Sequence, residues 1–263
     1  MPRHRSLGWL TVVAPVGLGV FLLLGWVATT APGTIPRTQL PTPLAVVREL
    51  ADGLVIHADL WPYIGTTLSE SLLGCVAGFT VALPLAILVY RSRVASAAVL
   101  PFLGATQAIP AIALAPLLVL WIGYGTGAIV ALCALMVFFP ILVSSVVGFR
   151  HLDPDILAAA RVDGAGPFAL LAQIEVPLAL HAILAGVRNG FTLSVTGAVV
   201  GEMVMGGRGL ATLLTVQRDA VNTAGMFATI IILAVLAATI YSLVSVAERR
   251  WARYENPSTQ GES

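Results

Sequence analysis

Apolar residues dominate the chain in long runs separated by short polar interruptions. The runs cover residues 8–28, about 63–90, about 97–122, about 127–149, about 179–201 and about 225–246. Each comes close to the ~20 residues that a helix needs to cross a hydrocarbon core. The pattern predicts an all-α, polytopic membrane protein with about six transmembrane helices. The first run follows Arg3 and Arg5 and resembles a signal peptide, with Ala28–Ala31 as a loose cleavage site. A signal core is only ~7–15 residues long, so the run reads as an uncleaved span.

The third run carries Pro101, Pro110 and Pro116. Prolines free backbone groups that lipid cannot satisfy, so this span is expected to be broken or kinked and enclosed by protein. Between the first and second runs lies a proline-rich stretch with Pro32, Pro36, Pro41 and Pro43. Within it, Leu44, Val47, Leu50, Ala51 and Leu54 recur at helical spacing. That predicts an amphipathic helix, either at the membrane surface or packed as a loop helix. Gly74 and Gly78, Gly186 and Gly190, and Gly197 and Gly201 form GxxxG pairs, notches that let helices approach closely in lipid.

The longest internal polar stretch is 150–177. Asp153–Pro154–Asp155 reads as an N-cap followed by proline in the first turn. Asp163–Gly164 ends that helix, and Gly166–Pro167 opens a second one with Phe168, Leu170, Leu171 and Ile174 as its apolar stripe. Pro177 then opens the fifth span. The result is a short helix–turn–helix, too small to fold alone. It is either an interaction element, with Ala158, Ala159 and Ala160 as a smooth surface, or a plain structural loop.

Composition narrows the function. Only 10% of the 263 residues are charged, 58% are hydrophobic, and the mean hydropathy is +0.93. Soluble domains carry about 25% charged residues, so an ordinary soluble enzyme and a nucleic-acid binder are excluded. All 14 basic residues are arginines. With no lysine, the chain cannot build a P-loop or a lysine Schiff base, so ATP, if used, is bound elsewhere. Cys75 and Cys133 lie in apolar runs, and the four histidines lie in four separate segments, which argues against disulfide and metal sites. There is no HExxH and no GxSxG.

Charge also orients the chain. With both termini in the cytoplasm, the inner loops hold Arg3, Arg5, Arg91, Arg93, Arg150, Arg161, Arg249, Arg250 and Arg253, against Arg37, Arg48, Arg208 and Arg218 outside. The positive-inside rule favours this arrangement and places 150–177 in the cytoplasm. The expected organisation is an N-terminal helix and outer amphipathic segment (1–61), a core (62–250) and a cytoplasmic tail (251–263). Ionisable groups inside membranes are costly and suggest function. Arg188 is the main candidate for attracting an anionic solute; the alternative is that it snorkels or pairs with a carboxylate. Glu70 and Glu202 could pair with it, gate a path or cap helices. Gln107, Asn189, Thr192, Ser194 and Thr196 are further polar candidates.

The stretch AAARVDGAGPFALLAQIEVP (158–177) resembles the EAA loop of binding-protein-dependent ABC importer permeases. Ala159 and Ala160 match its two alanines, Gly164 its glycine, and Ile174 and Val176–Pro177 its close; Ala158 stands where the family has glutamate. QAIPAIALAPLLVLWIGYG (107–125), FFPILVSSVVGFRHLDPDIL (138–157) and GEMVMGGRGL (201–210) resemble the subgroup importing aliphatic sulfonates, taurine, nitrate or bicarbonate. The resemblance implies a type I ABC importer (MetI-like) permease fold and a transport subunit that is not itself an enzyme. It implies a homodimer and two cytoplasmic ATPase subunits that bind ATP and Mg, with no cofactor in this chain. It also implies an extracytoplasmic solute-binding protein. Ala158, Ala159, Ala160, Asp163, Gly164, Ile174 and Pro177 would form the ATPase-coupling loop. The competing readings are an ATPase-independent secondary transporter or channel, and a membrane-embedded enzyme.

Overall fold

The computed structural model describes residues 10–31, 33, 35–107 and 110–255. Arg3, Arg5, Pro32 and the tail beyond residue 255 lie outside the described residues. Among those described, every regular element is helical. In chain order they are α1 (Leu10–Thr30), α2 (Pro43–Ala51), α3 (Trp61–Arg91), α4 (Arg93–Gln107), α5 (Ala111–Ile122) and α6 (Thr126–Arg150). They continue with α7 (Pro154–Val162), α8 (Pro167–Leu170), α9 (Val176–Met205), α10 (Leu210–Asp219) and α11 (Thr223–Glu255).

Five of these stretches are long and apolar enough to cross a membrane: Val13–Thr30, Trp61–Arg91, Thr126–Arg150, Pro167–Met205 and Thr223–Glu248. The remaining expected span, 97–122, is two shorter helices. Pro110 sits extended (φ −62°, ψ 120°) as the N-cap of α5, where a helix would need the amide hydrogen that proline lacks. Elsewhere proline is absorbed within helices, at Pro15, Pro84, Pro101, Pro116 and Pro140.

The chain divides into two units, residues 62–212 with 233–263, and residues 1–61 with 213–232. The larger unit is organised around α6. Glycines on α3 and α9 bring both helices against it. A Cβ at Gly74 would overlap the Cβ of Cys133, and one at Gly78 would come 2.8 Å from the Ala134 carbonyl oxygen. On α9, Gly186 faces Ile141 and Ser144, and Gly190 faces Val137. Farther along α9, Gly197 and Gly201 face Cys133 and Ile129. The three GxxxG pairs are thus the close-approach positions of one three-helix core. Ile129, Leu132, Cys133, Val137, Ile141 and Leu142 of α6 are completely buried there. Outward-facing Leu72, Leu73, Val76, Val81 and Leu88 of α3 are exposed apolar surface. Lipid is the solvent that suits them.

In the smaller unit, Thr42 caps α2 by accepting from the Ala45 N–H. The expected stripe is not the buried face of α2: Val46 is buried, while Leu44 and Val47 are exposed. The helix also stops at Ala51 and passes into a π-helical turn, Asp52–Ile56. The Trp26 ring N–H donates to the Pro41 carbonyl at 2.9 Å and its ring lies 5.7 Å from that of Phe227. The Thr223 hydroxyl donates to the Thr38 carbonyl.

Candidate functional site

The polar segment after α6 folds as its local signals dictate. Asp153 is extended and its carboxylate accepts from the Asp155 N–H at 2.9 Å, capping α7, with Pro154 in the first turn. At the other end Gly164 takes φ +88°. The Ala165 N–H reaches back to the Ala160 carbonyl and the Gly164 N–H to that of Arg161. These paired bonds make a Schellman cap, which needs the left-handed residue at Gly164. Gly166 caps α8 and Pro167 sits in its first turn.

The second half departs from expectation. α8 has only four residues and runs through a π-helical turn, Leu171–Glu175, directly into α9. Pro177 does sit in the first turn of α9, but the helix it opens is almost continuous from Pro167. The π turn falls where the Pro177 ring would otherwise press on the Gln173 carbonyl one turn back. The expected apolar stripe is also divided. Leu170 is buried, Leu171 and Ile174 are half-buried, and Phe168 is 81% exposed. Leu157 is the one buried side chain of α7. Ala158, Ala159, Asp163 and Gly164 are exposed, Ala160 and Pro177 half-buried. The hairpin thus presents Ile156, Val162 and Phe168 outward beside the two exposed alanines.

Its base is held by charge. Glu175 is fully buried and its Oε2 accepts from the Arg91 guanidinium at 2.6 Å, while the Tyr90 hydroxyl donates to Oε1 at 3.3 Å. Sequence reasoning did not single out Glu175, because nothing local distinguishes it from a surface residue.

Arg188 is placed in a specific pair. Its Nη1 donates to Glu248 Oε2 at 2.8 Å, and its guanidinium lies 5.3 Å from the Tyr241 ring centroid. Glu248 is buried, with exposed His181 at 3.4 Å from its other oxygen. The Arg188 Nε is buried without a hydrogen-bond partner. Glu248 lies just beyond the apolar run 225–246. There α11 runs on to Glu255, since no glycine or proline interrupts it. Neighbouring Asn189 is exposed. Gln107 closes α4, and its side chain lies outside the described residues.

Glu202 caps a helix. Its Oε1 accepts from the Thr67 hydroxyl at 2.6 Å and its Oε2 from the Ala211 N–H at 2.7 Å, while the Leu210 N–H donates to Thr67 Oγ1. The first turn of α10 is thereby satisfied by two side chains from other helices. This explains the glycines of GEMVMGGRGL. Gly206 is left-handed at φ +71°, and a Cβ at Gly209 would overlap the Glu202 carboxylate and the Thr67 hydroxyl. Glu70, also fully buried, faces Glu202 and Thr126, and neither of its oxygens makes a hydrogen bond. Neither glutamate meets Arg188, whose partner is Glu248. Ser194 bonds the Ser71 carbonyl on α3, whereas Thr192 and Thr196 bond their own helix. Among the described residues no group of histidine, cysteine and carboxylate side chains is placed to hold a metal.

Residues 74–253 match the model of the binding-protein-dependent transport system inner membrane component family. The chain belongs to that family. It is a multi-pass ABC importer permease. The riboflavin transport system permease protein RibX of Chloroflexus aurantiacus is 37% identical over 97% of this chain and 95% of its own. The putative aliphatic sulfonates transport permease protein SsuC of Bacillus subtilis is 27% identical over 97% and 91%. Among solved structures, an inward-facing MetNI methionine ABC transporter aligns with 73% of this permease and 95% of its own chain at TM-score 0.66 and 20% identity. The MetI-like permease fold is therefore the one expected from the loop motif. The family works with a binding protein, and its members are transport subunits.

Proposed function

We propose that this permease forms the translocation path of an ATP-driven importer for a small anionic solute of the sulfonate, taurine or nitrate type. Residues 150–177 act as its coupling loop. The observation that carries the coupling role is the hairpin itself. It is capped at both ends of α7, anchored at Leu157, Leu170 and Glu175, and exposes Ile156, Val162 and Phe168 around Ala158 and Ala159. Apolar side chains exposed on a capped polar loop suit a groove on another protein. In this reading the core is 62–250, preceded by an N-terminal helix and outer segment and followed by a cytoplasmic tail, and both termini are cytoplasmic. Two copies assemble with two ATPase subunits that bind ATP and Mg, and an extracytoplasmic binding protein delivers the solute. Absence of the glutamate at Ala158 leaves apolar packing to do more of the docking.

The anionic preference rests on Arg188. Only its Nη1 bonds Glu248, and a quarter of the side-chain surface stays exposed, which leaves part of the guanidinium for a second anion. A second reading has its own support: the 37% identical RibX is named a riboflavin permease, which favours a heteroaromatic solute. One experiment addresses both parts. The permease, purified in mild detergent, should bring an ATPase subunit with it, and Gly164→Glu, which cannot keep φ +88° without strain, should lose it. The assembled complex in liposomes should then take up taurine or an alkanesulfonate when ATP is supplied. Uptake of riboflavin instead selects the second reading. Uptake by the permease alone on an ion gradient refutes the ATP-driven mechanism.

A further inference from the structure

We propose that Arg91 and Glu175 are positioning residues that form a transmission pin, through which movement of the 150–177 hairpin reaches α3 and α6. This rests on the coupling-loop reading above. Glu175 is the last residue of the π turn that joins α8 to α9, and it is completely buried. Its carboxylate binds the final residue of α3 at 2.6 Å and accepts from Tyr90 beside it. The Tyr90 ring in turn stacks on Phe149, near the end of α6, with centroids 5.2 Å apart and planes 22° from parallel. The same Arg91 nitrogen lies 3.5 Å from the carbonyl of Pro167, where α8 opens. One carboxylate thus ties together the end of α3, the end of α6 and the helix that carries the exposed Phe168.

The chemistry of the tie sets it apart from the other anchors. Leu157 and Leu170 hold the hairpin by apolar packing, which is non-directional and can slide. A buried carboxylate with a charge-assisted bond cannot part from its arginine without leaving an unpaired charge away from water. When the hairpin is pushed, the pair is therefore the element that stays intact, and α3 must follow.

The test uses the permease with its co-purified ATPase, trapped with ATP and vanadate. Spin labels are placed at Phe168→Cys on the hairpin and, separately, at Leu72→Cys on the exposed face of α3; both native cysteines are buried. In the parent protein both labels change mobility on trapping. In Glu175→Gln the hairpin label still responds, while the α3 response falls about fivefold or more, the size of an ordinary coupling free energy. The exchange Arg91→Glu with Glu175→Arg restores most of it. A full α3 response in Glu175→Gln overturns the pin. If the hairpin label is silent in the parent protein, the coupling-loop reading fails and takes the pin with it. Where Glu175→Gln does not assemble, Arg91→Gln, which takes the counter-charge from Glu175, should give the same selective loss. If neither assembles, the pair serves folding and the proposal is overturned.

Discussion

The three-helix core should be unusually sensitive to a single methyl group at Gly74. A Cβ there would overlap the Cβ of Cys133 on α6, with the Ala134 nitrogen and Cys133 Cα at 3.2 Å. Carbon pairs prefer about 3.5–4.0 Å, so Gly74→Ala must push α3 and α6 apart by roughly 1 Å or more. Overpacking of this kind costs about 1–3 kcal/mol, and opening backbone-close packing on a fully buried face belongs at the upper end. Alanine returns up to about 1 kcal/mol through helix propensity, leaving a net loss of about 2 kcal/mol. Gly65, on the same helix, has nothing within 4 Å of its Cβ position and serves as the control. Gly65→Ala should be neutral or gain a few tenths of a kcal/mol, up to about 1. Thermal denaturation in detergent, followed by the monodisperse fraction on size exclusion, should place Gly74→Ala about 4–8 °C below the parent and Gly65→Ala at or above it. Adding Cys133→Gly removes the atom struck and should recover part of the loss. If Gly74→Ala and Gly65→Ala melt together, the close approach of α3 and α6 is wrong.

Glu202→Ala should lower stability by about 3 kcal/mol, because it strips the Thr67 hydroxyl and the Ala211 N–H of their buried acceptor; the same thermal assay reads it. Gly209→Ala should reproduce much of that loss through collision with the same carboxylate, whereas Gly206→Ala should lose less, since its cost is backbone strain alone. Arg188→Ala should destabilise by about 3 kcal/mol by taking from buried Glu248 its arginine and leaving it only the His181 ring at 3.4 Å. Adding Glu248→Ala should then recover stability but not solute-stimulated ATP hydrolysis, and recovery of both assigns Arg188 to structure alone. Cys75 and Cys133, both buried, should resist maleimide in the native protein and label fully after denaturation, as mass spectrometry would show.

What the sequence determined by itself was whatever depends on neighbours within a turn or two. Runs of apolar residues located the spans, because a helix must satisfy its own backbone in lipid. The caps at Asp153, Gly164 and Pro167 were legible because each acts on residues no more than five positions away. The EAA-like spacing of Ala159, Ala160, Gly164 and Ile174 was legible for the same reason. The GxxxG pairs announced close helix approach, but not that α6 receives all three. The tertiary structure decided which charges meet. Arg188 finds Glu248 60 positions away, Glu175 finds Arg91 84 away, and Glu202 finds Thr67 135 away. Helical periodicity says which face a residue occupies, but not which face of another helix lies opposite. In a core with few ionisable groups, that choice of partner decides which carboxylate Arg188 meets, and it buries Glu175, which the sequence places in a polar stretch.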